Sequence, residues 1–180
     1  QSGKGVGIIG QTLIHHGSDK LKAEFLPKIL RGEIEWAIGY SEPDAGSDLG
    51  GITTTAKKVD GGYVLNGRKT WITSAPVADF FTVFARAGEA RKLTIFLVER
   101  DFPGVTVGRA TEKMGVWALP PSELAFADCF VPDSHRLSRV EGDGEEHLKK
   151  TLAEIRIITG AMALGVARAA LDEATRYAGE

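Results

Sequence analysis

Trp36-Ala37-Ile38-Gly39-Tyr40-Ser41 runs on into Glu42-Pro43-Asp44-Ala45-Gly46-Ser47-Asp48, and Leu65-Asn66-Gly67-Arg68-Lys69-Thr70-Trp71-Ile72-Thr73-Ser74 answers it a short distance downstream. Two strand-like segments each set an aromatic beside a hydroxyl, Tyr40 with Ser41 and Trp71 with Thr73. Between them lies a turn rich in small residues, where backbone N–H groups can approach an anion. A wide flat ring with polar edges and a charged tail needs those parts: aromatic faces to cover it, hydroxyls to bond its edge, amides to hold its phosphates. Taken singly, Tyr40 and Trp71 fit ordinary core aromatics, and Ser41 and Thr73 ordinary strand residues. Taken together with the turn they read as a site for a flat, anionic cofactor.

Upstream of this stretch the pattern is helical. Val6, Ile8, Ile9, Leu13 and Ile14 predict a helix over residues 5–16, closed by Gly17. Ser18-Asp19 opens a second, with Leu21, Phe25, Leu26 and Leu30 on one stripe; Pro27 is expected to bend or break it and Gly32 to end it. An αα-hairpin of this kind cannot bury its apolar faces alone, so residues 1–34 read as the end of a helical domain.

Downstream the period becomes alternating. Strands are expected over 52–59 and 63–65, joined at Asp60-Gly61-Gly62, with Asn66-Gly67 as another tight turn. Residues 79–87 and 92–98 are β-branched and aromatic, linked by Gly88-Glu89-Ala90-Arg91, and 104–109 and 122–131 complete the series. Short strands with frequent turns and no room for crossover helices predict an antiparallel β-barrel or sandwich over 35–132. Residues 133–144 read as a linker. From Glu145 to Tyr177 a long helix carries Leu148, Leu152, Ile155, Ile158, Met162 and Val166 on one stripe, with Gly160, Gly165 and many alanines for close packing. The fold class is thus α+β, a middle β-domain flanked by the end of one helical domain and, over 145–180, the first helix of another.

Composition narrows the function classes. Of 180 residues, 43% are hydrophobic and 26% charged, with a net charge of −2, so no global field attracts nucleic acid or an acidic membrane. Cys129 is the single cysteine, which excludes an intrachain disulfide, and it reads as a small buried hydrophobe. His15, His16, His135 and His147 are scattered without ligand spacing, so no metal is expected. Apolar runs fall short of a membrane span and no signal peptide opens the chain, which predicts a soluble intracellular protein. The first residue is not methionine, and the chain reads as a piece of a longer protein. Glu42 and Asp48 read as turn and cap residues.

Tyr-Ser-Glu-Pro-Asp-Ala-Gly-Ser-Asp at 40–48, followed by Asn-Gly-Arg-Lys-Thr-Trp-Ile-Thr at 66–73, closely resembles the paired signatures of the acyl-CoA dehydrogenase family of flavoproteins. The resemblance continues through Lys113-Met114-Gly115, Glu123 to Asp128, Val131-Pro132, and Arg156 with residues 161–177. It implies FAD, held between the β-domain and a C-terminal bundle. It places Ile38, Tyr40, Ser41, Gly46, Ser47, Trp71, Ile72 and Thr73 at the cofactor, and Ser47 and Arg156 at the substrate. Ser41 matches a hydroxyl on the flavin edge, Trp71 packs on the ring, and Thr73 matches the hydroxyl near N5. The implied reaction is α,β-dehydrogenation of an acyl-CoA thioester, a glutamate taking the α-proton while the β-hydride passes to N5. An electron-transfer flavoprotein partner, a homo-oligomer (dimer or tetramer), and a bacterial cytoplasmic or mitochondrial matrix location are implied as well.

No catalytic base is identified. A minority of the family carries it immediately before the arginine matched by Arg156, and Ile155 stands there; Glu154 is about 100° further round the helix. Ser41 replaces the commoner threonine, and the 116–121 stretch is bulkier than usual. The alternative reading is a non-catalytic or partner-completed subunit on the same scaffold.

Overall fold

Ser18 starts the better-defined of two N-terminal helices by accepting the Leu21 N–H on its side-chain oxygen, at 3.3 Å. This computed structural model describes residues 9–137 and 140–180, with the side chains of His16 and Glu154 outside the description. Residues 5–8 of the predicted first helix lie outside the described residues. The chain forms two compact units, one up to Glu145 and one over Glu146–Glu180.

In the first unit, α1 spans Gly10–His16 and α2 spans Asp19–Arg31. Gly17 closes α1 through its N–H to the Leu13 carbonyl, and Gly32 closes α2 in the left-handed conformation at φ +65°. Leu21, Phe25 and Ile29 are the buried stripe of α2, while Leu30 is 75% exposed. This corrects the expected stripe by one position of helical rotation. Pro27 does not break α2, which continues to Arg31. The carbonyl Pro27 leaves without a donor belongs to Ala23, and both residues are exposed, so water can satisfy it while Phe25 and Ile29 hold the helix down. Phe25 meets Trp36 and Phe80 edge-on, with ring centroids 5.5 and 5.0 Å apart. The Trp36 indole N–H donates to Thr82 Oγ1 at 2.8 Å, which fixes the ring that Phe25 of α2 packs against.

Seven strands form that sheet: β1 Trp36–Gly39, β2 Thr55–Val59, β3 Gly62–Thr73, β4 Phe80–Ala87, β5 Lys92–Glu99, β6 Val105–Val107 and β7 Pro121–Pro132. Their order is β1-β4-β2-β3-β7-β6, with β5 also on β4. Most pairings are antiparallel, but β1 and β2 both run parallel to β4, through Trp36–Gly39 against Phe80–Val83 and Thr55–Ala56 against Arg86–Ala87. No crossover helix is needed, because β3, antiparallel to β2, reverses the chain before β4. One face of every long strand turns to one core: Ala37, Ala56, Leu65, Phe81, Val83, Phe96, Val98, Leu124, Phe126 and Val131 all belong to it. A flat sheet cannot bring these faces together, so the sheet curls around them. Each large side chain buried there contributes about 1.5–3 kcal/mol.

Asp60-Gly61 is the expected hairpin turn, with Gly61 at φ +73°. Asn66-Gly67 is not a turn; β3 runs straight through it. The irregularity lies opposite, where β7 bulges between Phe126 and Cys129 with Asp128 at φ +50°. The Asn66 amide donates to the Asp128 carboxylate and accepts the Asp128 N–H, so a turn-like dipeptide serves instead to pin a bulge. Two residues of the segment expected as a linker bond to β5: the Leu137 N–H donates to Ile95 O and the Gly142 N–H to Thr94 Oγ1. The long helix, α3, spans Gly144–Ala178. Along it Ile157, Met162, Leu164 and Val166 are exposed, and Lys150 pairs with Glu146 one turn back.

Candidate functional site

β1 and β2 lie along the same edge of β4, and the chain between them leaves that edge at Gly39 and returns at Thr55. This excursion carries the first motif. The Glu42 N–H and carbonyl exchange bonds with Ala45 at 2.8 and 3.1 Å, which folds residues 42–45 into a tight turn and leaves Gly46 and Ser47 exposed. Asp48 caps the following short turn by accepting the Gly50 N–H at 2.8 Å. The Arg86 guanidinium donates to the carbonyls of Gly50 and Ile52, fixing the returning limb.

The second motif reaches the first through a β-bulge. Opposite β7, Lys69 pairs with Leu124 and Ile72 with Ser122, so Thr70-Trp71 contains one residue too many, and Trp71 takes φ +58°. The extra residue turns the indole out of the sheet: Trp71 is 63% exposed, whereas Ile72 beside it is 2% exposed and packs into the core. The Thr70 N–H donates to the Ser41 carbonyl at 3.0 Å, so the two motifs are joined at the bulge. Ser41, Trp71 and Thr73 therefore share one neighbourhood, with Thr73 paired to Pro121. Ile38 and Tyr40 are half-buried beside them, Tyr40 lying edge-on to Phe84 at 6.3 Å with its phenol pKa raised by burial. Ile72 can offer a ligand only its backbone. Arg156 is exposed on α3, in the second unit.

Beneath the junction lies a group the sequence reading missed. Glu42 is a buried carboxylate and not merely a turn residue. It accepts five hydrogen bonds, from the N–H and hydroxyl of Thr53 (both 2.7 Å), the N–H and hydroxyl of Thr54 (3.0 and 2.5 Å), and Lys69 Nζ (2.8 Å). Lys69 is fully buried and also donates to Phe84 O at 2.7 Å and Tyr40 O at 3.3 Å. Burial pushes the Glu42 carboxyl up, but the bonds from Lys69, Thr54 and Thr53 outweigh it and hold the pKa down at about 2. Burial lowers Lys69 to about 8, against the pull of Glu42. The period-two pattern of β3 held the signal. Tyr63, Leu65, Gly67 and Lys69 share a parity, so a lysine that continues an inward row needs a buried acid.

Past β3, the Ser74 N–H donates to Pro120 O, which ties the 110–120 loop to the second motif. Lys113 Nζ fastens that loop through the carbonyls of Val116 and Leu119, and the Trp117 indole N–H donates to Lys113 O. A cleft of roughly 350 Å³ lies there, lined by Thr111, Lys113, Trp117 and Pro120 among others. Burial raises the Cys129 thiol to about 11, which suits a packed residue and not a nucleophile. Among the described residues no helix is long and apolar enough to cross a membrane.

The family model for the acyl-CoA dehydrogenase middle domain matches residues 37–129, more than half of the chain. The chain belongs to the acyl-CoA dehydrogenase family. Within that family it is 78% identical over 151 residues to benzylmalonyl-CoA dehydrogenase of Aromatoleum aromaticum, an alignment covering 84% of this chain and 40% of that protein. The crystal structure of an acyl-CoA dehydrogenase from Geobacillus kaustophilus superposes with a TM-score of 0.82 at 36% identity, covering 87% of this chain and 42% of that one. An FAD complex of PigA superposes with a TM-score of 0.77 at 35% identity over 82% of this chain and 38% of that one. The chain thus spans about two fifths of the length of these relatives, 40% in the case of the Aromatoleum protein.

Proposed function

We propose that this chain carries the flavin-facing wall of an FAD-dependent enzyme that dehydrogenates an acyl-CoA thioester between its α and β carbons. The observation that carries the reading is the junction of the two motifs: the Thr70 N–H bonded to Ser41 O, with a bulge that turns Trp71 out to 63% exposure. Leaving an indole exposed on a strand whose neighbour is fully buried forgoes burial that the fold could have used, which fits a ring meant to cover a ligand.

The residues present fit FAD. Trp71 offers a face to the flavin ring, and neither the N–H nor the hydroxyl of Ser41 has a partner among the described residues. The exposed Gly46-Ser47 turn presents backbone to an anionic group. When bound, FAD supplies the acceptor for the β-hydride. This chain's own part is to cover the ring with Trp71, bond its edge with Ser41 and Thr73, place Ser47 against the CoA portion and Arg156 at the substrate, and exclude water with Ile38 and Tyr40. The base that takes the α-proton is not assigned to a residue of this chain.

For the acyl group we propose an aryl-bearing malonyl type, on the 78% identity to benzylmalonyl-CoA dehydrogenase. An electron-transfer flavoprotein is the proposed electron acceptor, and a homo-oligomer the proposed assembly. The test is an absorbance spectrum of the purified full-length protein, before and after anaerobic addition of benzylmalonyl-CoA and simpler acyl-CoAs. A flavin band that bleaches with the aryl substrate and resists straight-chain ones is expected. Absence of any flavin band sinks the reading; a band that never bleaches turns it toward the non-catalytic subunit.

A further inference from the structure

Lys69 has three N–H donors, and three acceptors surround it: the Glu42 carboxylate at 2.8 Å, Phe84 O at 2.7 Å and Tyr40 O at 3.3 Å. The third contact matters most for the site. Tyr40 O belongs to the same peptide unit as the Ser41 N–H, so an ammonium that draws electron density toward the oxygen makes the N–H a stronger donor. The backbone on the other side of Ser41 is held as well, since the Thr70 N–H bonds Ser41 O at 3.0 Å. Ser41 is thus fixed at both flanking carbonyls while its own N–H and hydroxyl are left for a ligand. Glu42 sets where the ammonium sits: its five bonds root it to Thr53 and Thr54, so Lys69 cannot drift from the Tyr40 carbonyl.

We infer that Lys69 and Glu42 are a positioning pair that acts on the flavin through the Tyr40–Ser41 peptide, raising its reduction potential. The inference rests on the FAD reading above. A donor aimed at the polar edge of the ring favours the electron-rich reduced form, and in a water-excluded cleft a fixed peptide dipole acts with little screening. The pair touches neither substrate nor the reacting atoms; its effect passes through Ser41.

The experiment uses the full-length FAD-loaded protein and the double variant Glu42→Gln/Lys69→Met, which removes both charges together and leaves no lone buried ion. Midpoint potential by dye equilibration, the visible spectrum of the bound flavin, and kcat and KM are measured. Arg68→Gln, which breaks the exposed Arg68–Glu123 pair one residue away, is the control. The double variant is expected to shift the potential negative, alter the flavin bands, and lower kcat about tenfold with little change in KM, a loss of the size one weakened hydrogen bond produces; Arg68→Gln changes none of these. A double variant with wild-type potential and spectrum overturns the inference. Glu42→Asp, which keeps the charge but shortens the tether on Lys69, is read alongside; it is expected to shift the potential in the same direction by less. Loss of FAD from both variants with their folds intact by circular dichroism would show only a structural contribution and also overturns it. A wild-type protein without flavin sinks the cofactor reading itself, and is recognised before any variant is made.

Discussion

Glu42 and Lys69, one from each of the two motifs, meet as a buried ion pair at 2.8 Å with side chains 4% and 0% exposed. Two charges taken out of water cost several kcal/mol each unless every remaining donor and acceptor is satisfied, and here Thr53, Thr54, Phe84 and Tyr40 complete the set. Removing one partner leaves the other charge stranded. Glu42→Gln or Lys69→Met alone is expected to destabilise the fold by about 3–5 kcal/mol, and the double variant by less than the sum of the two. Urea denaturation of the four proteins forms a cycle, and additive losses would contradict the pairing.

The same carboxylate sets an acid limb to stability. The Glu42 pKa falls from 4.5 in the unfolded chain to about 2 in the folded one, so its contribution is complete above pH 4.5 and is lost as pH falls through about 2. Between those values the unfolded state binds the proton first, and stability should drop with falling pH. Thermal melts from pH 6 to pH 2 on wild type and Glu42→Gln/Lys69→Met should therefore converge at the acid end. Parallel curves would show that other carboxylates govern that limb.

Trp71 and Ile72 are neighbours with opposite fates, and single alanine substitutions should separate them. Trp71→Ala removes an indole that is mostly exposed, so stability should change by no more than about 0.5 kcal/mol, while FAD affinity falls. Ile72→Ala empties a core position and should cost about 2–5 kcal/mol. Equilibrium unfolding and flavin titration of both variants give the four numbers. A strongly destabilised Trp71→Ala would mean that the indole is a core residue after all.

Gly67 sits where β3 crosses Thr54, at φ +153°, and a methyl group there would stand 2.4 Å from Thr54 Oγ1 and 2.8 Å from Thr54 Cα. The Cα is backbone and cannot rotate away, and Thr54 is also a ligand of Glu42. Gly67→Ala should cost about 1–3 kcal/mol from overpacking. It should also loosen FAD by displacing Thr54 from the carboxylate. A melting temperature within a degree of wild type would show that the crossing has slack.

Much of this fold was legible in the chain because local chemistry and tertiary structure agreed. Ser18 and Gly32 bracket α2 as cap residues should, Asp60-Gly61 turns β2 into β3, and the β-branched and aromatic runs of β4 and β5 are buried along nearly their whole length. The readings that failed did so where a distant partner outvoted a local signal. Pro27 stays helical because Phe25 and Ile29 are anchored on the sheet. Asn66-Gly67 stays extended because Asp128, far along the chain, takes up the asparagine amide. Glu42 looked like a turn residue because its partner, Lys69, lies on another strand. At the site, residue types pointed to an aromatic face and hydroxyl edges, but only the register between β3 and β7 explains why Trp71 points outward and Ile72 inward.

The excursion from Gly39 to Thr55 starts and ends on one edge of β4, opposite Val83 and Arg86, about 10 Å apart along that strand. Whatever the chain does in between, the sheet resumes its register when Thr55 lands beside Arg86. The piece that carries the first motif is therefore a cassette whose two ends are set by β4 and not by its own length. It must keep Glu42 and the threonines that grip it, and the Tyr40–Ser41 peptide that Lys69 and Thr70 hold. A scaffold wired in this way can change what it binds while remaining, to its own core, the same protein.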